Sequence, residues 1–271
     1  MPDTGPPYRL GSVIYDPKVE RIWADFGDWF AEQAFPLDLS YFDSYEDQVD
    51  ALVAGGLDAA WNTNLAYVQT LERTGGRARA IAMRDTDRGW TSKIVVLDAD
   101  PIDDVAALRG RRVGFGDRDS PQAHILPVHV LAAQGLDPGA DMQASRLDRD
   151  VGKHGDTGRA EVAQLERLRA GELDACVLSS VTLEFLAKAG QDDGLRVIWT
   201  SPPFHHCNFT VLEGSRADHA RFAELLMSMD SADESICDAM ALEYVNHWVG
   251  PDPSGYGDLI DALRAGPLIV G

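Results

Sequence analysis

Apolar and polar residues alternate along this chain with a period that switches repeatedly between two and nearly four, the mark of strands interleaved with helices. Residues 8–14 read as a strand. Residues 19–34 have helical spacing, with Ile22, Trp23, Phe26, Trp29 and Phe30 on one face, and 37–42 return to a strand. Ser44, with Glu46 and Asp47 behind it, is a helix start, and that helix runs to residue 53. A strand at 57–61, a helix at 65–71 and strands at 78–83 and 92–97 follow. Asp100-Pro101 predicts a helix through Leu108 with proline at its first position. The pattern then restarts: a strand at 112–115, a helix at 123–133 stopped by Gly135, a helix at 161–170, and strands at 175–178, 195–200 and 208–212. Helices at 217–229 and 232–244 close it.

Within this pattern one element occurs twice. The run Ala54-Gly55-Gly56-Leu57-Asp58-Ala59 ends the helix from Ser44, and Ala170-Gly171-Glu172-Leu173-Asp174-Ala175 ends the helix over 161–170. In each, glycine supplies the positive φ that stops a helix and Leu-Asp-Ala opens a buried strand. Solenoid repeats recur at least three times at periods of about 20–50 residues, so two distant copies point instead to two similar α/β lobes. The last strand and helices have no later strands to pair with and are expected to return to the first lobe. The predicted lobes are 1–97 with 205–271, and 98–204, joined by two crossovers with a ligand cleft between the lobes.

Composition narrows the function. The 44 acidic and 24 basic residues leave a formal charge of −20, which repels phosphate backbones and anionic lipid surfaces, so nucleic acid is not an expected partner. No apolar run reaches about 18 residues, and membrane insertion is not expected. The opening residues lack the basic and apolar segments of a secretory signal, so the expected location is cytoplasmic, or periplasmic or extracellular if a leader has been removed. Cys176, Cys207 and Cys237 are odd in number and show no CxxC spacing, which argues against a disulfide framework. Gly114-Phe115-Gly116 is too short for a dinucleotide fingerprint.

The turn Gly55-Gly56-Leu57-Asp58-Ala59-Ala60-Trp61 with Tyr67 after it, the phrase from Ile102 to Gly116, the loop at Ser120, and His154 ahead of the second Gly-Glu-Leu-Asp-Ala together resemble the phosphonate and phosphite substrate-binding proteins of ABC transporters. The likeness covers roughly residues 45–265. It implies the type II periplasmic-binding-protein fold, a two-lobed α/β clamshell, with an ABC permease as partner if the chain is exported. That family usually has Ser-Thr-Ser after Phe-Gly, where hydroxyls and backbone N–H groups at a helix start hold an oxyanion. Here the loop is Ser120-Pro121-Gln122: proline has no N–H, and the amide of glutamine replaces a compact hydroxyl.

Two stretches concentrate chemistry. Gly152-Lys153-His154-Gly155-Asp156-Thr157-Gly158 packs a cation, an imidazole, a carboxylate and a hydroxyl into one loop; Asp156 or Thr157 could equally cap the helix that follows. Pro202-Pro203-Phe204-His205-His206-Cys207-Asn208 departs from the family. If it is extended, His205 and Cys207 share a face while His206 points away. A cysteine beside an imidazole can act as a nucleophile, and His154, His205 and Cys207 could also hold a zinc-like divalent metal. Against this stands the reading in which the histidines satisfy carbonyls and Cys207 is core.

Two functions therefore compete. One is a binding protein that closes on a small anionic or zwitterionic molecule, with Tyr15, Trp61, Asn62, Tyr67, Trp90, Ser120, Gln122 and His154 as contacts. The other is a cytosolic hydrolase, decarboxylase or desulfinase on the same scaffold acting on a small aromatic or heterocyclic acid, with Cys207, His205, His154 and Asp156 as its catalytic groups.

Overall fold

The computed structural model describes residues 6–216 and 218–266, so the first residue of the helix predicted from 217 and the last five of the chain lie outside the described residues. In chain order the elements are β1 (Tyr8–Val13), α1 (Lys18–Glu32), β2 (Leu37–Phe42), α2 (Tyr45–Val53), β3 (Ala59–Asn62), α3 (Asn64–Arg73) and β4 (Ala78–Arg84). Then come β5 (Ser92–Leu97), β6 (Arg112–Phe115), α4 (Leu126–Ala133), α5 (Pro138–Asp141), β7 (Gln143–Arg146), α6 (Arg159–Arg169), β8 (Ala175–Ser179), α7 (Ser180–Lys188) and β9 (Leu195–Thr200). The chain ends with β10 (Asn208–Leu212), α8 (His219–Ser228), α9 (Cys237–Leu242), β11 (Trp248–Val249) and α10 (Gly257–Ala265).

These elements form two compact α/β units. The first holds the described residues up to Arg88 and His205–Ser254; the second holds Gly89–Phe204 and the described residues from Gly255. The first boundary falls at 88/89 rather than after 97, and the segment from Gly255 joins the second unit rather than the first. β5 belongs to the second unit because it pairs antiparallel with both β8 and β9, and α10 belongs there because it packs on α4. The chain thus passes between units three times, at 88/89, 204/205 and 254/255, where two crossovers were expected.

The first unit is built on a six-stranded sheet, β11-β4-β10-β3-β1-β2, in which β1 lies parallel to β2 and β3 and β10 runs antiparallel between β3 and β4. One face carries an aromatic core of Trp23, Phe26, Phe30, Phe209, Phe222 and Trp248; the other packs Val13, Tyr45, Val49 and Ala66. The second unit has a five-stranded sheet, β7-β6-β8-β5-β9, with Val113, Phe115, Leu131 and Val177 on one side and Leu165, Leu168, Cys176 and Leu178 on the other. Burial on both faces explains why the central strands read as apolar runs rather than as alternation.

The repeated Gly-x-Leu-Asp-Ala motif has the same physical role in both units. Gly55 and Gly171 adopt positive φ (77° and 73°) at the two helix ends. Asp58 accepts from the Arg9 backbone N–H and guanidinium, and Arg9 Nη1 donates to the Gly55 carbonyl at 2.9 Å. Asp174 does the same with Arg112, whose Nη1 donates to the Gly171 carbonyl at 3.0 Å. An Arg–Asp–Gly clamp therefore ties the helix stop to the start of the neighbouring parallel strand, β1 in one unit and β6 in the other.

Elsewhere local polar groups redrew the predicted elements. The helix expected from Pro101 is only a 3-10 turn at Val105–Leu108, because Asp104 is extended and its side chain accepts from Ala107 N at 3.0 Å. The helix expected over 232–244 shrinks to α9, since Asp230 and Asp233 accept from the backbones of Ala232 and Ser235. No helix among the described residues is long and apolar enough to cross a membrane.

Candidate functional site

In the second unit β6 delivers the chain to a helix start. Beyond it, Gly116 closely approaches Ala123, whose Cβ lies 2.7 Å from where a glycine side chain would begin. Ser120 is extended (φ −80°, ψ 113°), its Oγ accepts from Ala123 N at 3.2 Å, and its carbonyl accepts from His124 N and Ile125 N. The acceptance from Ile125 makes the first turn, Pro121–Ile125, a π-turn continuous with α4. Ser120 thus caps the helix start, and Pro121 occupies the position where a missing N–H costs least. Gln122 is 2% exposed, and its Oε1 has no hydrogen-bond partner.

The loop before α6 is tied to this start by acidic side chains. Asp117 Oδ1 accepts from Arg149 N at 2.5 Å and Asp150 N at 2.9 Å, and Asp119 Oδ2 accepts from Gly152 N at 2.5 Å. His154 is fully buried in left-handed backbone (φ 53°). Gly155 (φ 81°) comes so near that a Cβ would sit against Ser120 Oγ and 2.5 Å from Gln122 Nε2. The N-cap position of α6 is Gly158; Thr157 Oγ1 accepts from Arg159 N, the first N–H of the helix, at 3.3 Å and donates to Asp150 at 2.7 Å.

A narrow gap with no room for a water molecule lies here, lined by Asp117, Ser120, Gly155, Gly158 and Glu161 among others. Its lining holds two carboxyl groups and no basic side chain. Burial pushes both Asp117 and Glu161 above the usual carboxylate range, and each is raised further by neighbouring acids. Glu161 was invisible as a site residue in sequence, although a charge on the inward face of a helix, in line with Gln164, Leu165 and Leu168, was a usable signal.

A raised carboxyl pKa contributes stability that is present below the unfolded value and lost as pH rises through the folded one. Glu161→Gln keeps an acceptor for Ser179 N, bonded now at 2.6 Å, while removing the buried charge. The variant should therefore gain on the parent at pH 7 and lose that advantage toward pH 5, as read by urea denaturation. An equal stability difference at both pH values would rule this out.

In the first unit the candidates divide. Trp61 belongs to the aromatic core: it is 2% exposed and its ring packs on Trp23, Phe209 and Trp248. The strand alternation that puts Asn62 on the opposite face turns Trp61 into the aromatic core. Asn62 is buried at the carboxyl end of β3 and accepts from Gln48 Nε2 at 2.8 Å, while its own Nδ2 has no partner. Ser12 Oγ, near the end of β1, and Gln48 Oε1 are likewise buried without partners. Such atoms are rare in folded proteins, and carboxyl ends of parallel strands are where open α/β sheets bind ligands. Tyr15 packs against the core edge, and Tyr67 lies buried on α3, where burial raises its pKa. Trp90, in the second unit, is half-buried and pairs with Phe204.

The imidazole and thiol cluster is rearranged relative to expectation. Residues 205–207 precede β10 and are not extended strand, so the predicted alternation fails. His206 Nδ1 lies 3.0 Å from Cys207 Sγ, whereas His205 Nε2 faces Asp252 at 3.4 Å. His154 and Asp156 belong to the second unit, so both the expected metal set of His154, His205 and Cys207 and the expected catalytic set are split between units. Cys207 is buried in the aromatic core of the first unit.

The family model of the phosphonate periplasmic substrate-binding protein of ABC transporters matches residues 13–256. The chain belongs to this family. Its fold is shared with a methylphosphonate complex from Prochlorococcus marinus (16% identity, 97% of this chain and 98% of that one, TM-score 0.72). It is shared also with a binding protein component of an ABC phosphonate transporter from Pseudomonas aeruginosa (16%, 95% and 85%, TM-score 0.64). A third structure with the fold is a Xanthomonas citri protein bound to ATP (15%, 95% and 97%, TM-score 0.74). The family is described as periplasmic, so the cytoplasmic expectation finds no support and the leader-removed alternative fits.

Proposed function

We propose that this member of the phosphonate-binding family captures a small anionic or zwitterionic molecule and, as an exported protein, hands it to an ABC permease. The observation that carries the reading is Gln122: an almost fully buried amide with an unsatisfied oxygen, set beside the capped helix start at Ser120 and the Cβ-free surface of Gly155. A buried polar atom without a partner costs about 1–3 kcal/mol, which a ligand hydrogen bond would offset. Within the second unit Ser120, Gln122 and His154 are the proposed contacts; in the first unit, taken by itself, Asn62, Tyr15 and Tyr67 are the candidates. Trp90 completes the set.

Asp117 and Glu161 shape the preference. The carboxyl groups of Asp117 and Glu161 stand beside Ser120 and Gly155 with no basic side chain among them, a charge that suits a ligand with an ammonium group as well as an oxyanion better than a bare dianion. No observation favours the enzyme reading.

The test is thermal unfolding with methylphosphonate, 2-aminoethylphosphonate, inorganic phosphate and taurine. A ligand at 100 times its Kd should add about 2.7 kcal/mol, and Ser120→Ala or Gln122→Leu should each weaken binding about tenfold. The aminated phosphonate should outrank methylphosphonate. If none of the four stabilises the protein, the proposal is refuted.

A further inference from the structure

The ligand reading leaves unused a polar cluster in the first unit. Asp87, His206 and Cys207 are all buried, and one donor atom of each lies within 4.8 Å of the others. His206 Nδ1 is 3.0 Å from Cys207 Sγ and 3.7 Å from Asp87 Oδ1. The backbone holds them in register, because His206 N donates to the Asp87 carbonyl at 2.9 Å. Around them, Arg84 donates twice to Asp87, at 2.6 and 2.8 Å, and through Nη1 to both the carbonyl and the carboxylate of Glu243. Lys18, on α1, acts on Glu243 more weakly.

We propose that Asp87, His206 and Cys207 form a binding site for a thiophilic divalent cation of the zinc class. One thiolate, one imidazole and one carboxylate make the donor set such an ion selects, and three protein ligands leave a fourth position open. The charge balance agrees. Among the fully buried groups two carboxylates face one guanidinium, leaving one negative charge in excess, with the partly buried Lys18 outside them; a divalent ion that displaces the thiol proton to solvent adds one thiolate charge and brings those buried groups to neutrality. Arg84 does not block this, since Glu243 keeps it paired when Asp87 turns an oxygen to the ion. The site uses His206 rather than His205, lies wholly in the first unit, and does not depend on the identity of the ligand proposed above.

The experiment is anaerobic titration of the full chain with Co²⁺, following thiolate-to-cobalt charge-transfer absorption. One equivalent should produce the band, Zn²⁺ should abolish it, Cys207→Ala should lose it, and His206→Gln should weaken binding at least about tenfold. Cys237→Ser and Cys176→Ser should retain it; with three cysteines in the chain, that retention assigns the thiolate by elimination even if Cys207→Ala does not fold. No band at saturating Co²⁺, a band that survives in Cys207→Ala, or a band lost in Cys237→Ser overturns the proposal.

Discussion

Replacing Arg84 with methionine is expected to cost about 3–5 kcal/mol, the range found when one partner of a buried ion pair is removed. Methionine fills much of the same volume, so the loss reports charge rather than a cavity. Arg84 is the basic group bonded to both Asp87 and Glu243, whose side chains are 0% and 1% exposed, and its guanidinium also lies 5.2 Å from the centre of the Trp61 ring. Without it two buried carboxylates lose their shared guanidinium partner. Burial already pushes Glu243 above the usual carboxylate range with Arg84 in place. Groups raised in this way lose stability as pH rises, so the penalty should be larger at pH 8 than at pH 5. Urea denaturation followed by tryptophan fluorescence suits the measurement, since Trp61 stands beside the substituted residue. A loss below about 1 kcal/mol at both pH values would show that the carboxylates find other partners.

Gly155→Ala is expected to cost about 2–4 kcal/mol and to abolish stabilisation by any ligand bound at Ser120 and Gln122. Two effects combine. The left-handed backbone at φ 81° is strained for any residue with a Cβ, and that Cβ would press on Ser120 Oγ and lie 2.5 Å from Gln122 Nε2. Either the helix start or the loop must shift, and both carry proposed ligand contacts. Gly135→Ala separates the two effects: Gly135 has φ 84° with nothing within 4 Å of the added carbon, so it should cost about 1 kcal/mol and leave binding intact. Equal losses for the two variants would show that backbone strain alone is responsible.

Much of the architecture was legible in the sequence because it depends on local signals. Ser44 accepts from Asp47 N as an N-cap, Gly135 stops α4 in left-handed backbone, and β2, β5, β6, β9 and β10 fall at their predicted residues. The duplicated Gly-x-Leu-Asp-Ala run was enough to announce two related α/β units. The site was less legible. Ser120 stands out in the sequence because capping is local, but the sequence pattern could not show that Glu161 would be buried beside Asp117, 44 residues away in the chain.

What the sequence determined by itself was therefore everything carried by neighbours along the chain: helix starts and stops, strand runs, the repeat, the acidic balance and the family likeness. Tertiary structure alone decided which histidine meets Cys207, because the backbone at 205–207 is held by a hydrogen bond from His206 N to Asp87 O rather than by strand alternation. It also decided that β5 joins the second sheet and that Trp61 is core, since pairing and burial are fixed by partners distant in sequence. The physical reason is the same in each case: a charge, a thiol or a ring acquires its role from the dielectric and the donors around it, and those are assembled only when the chain folds.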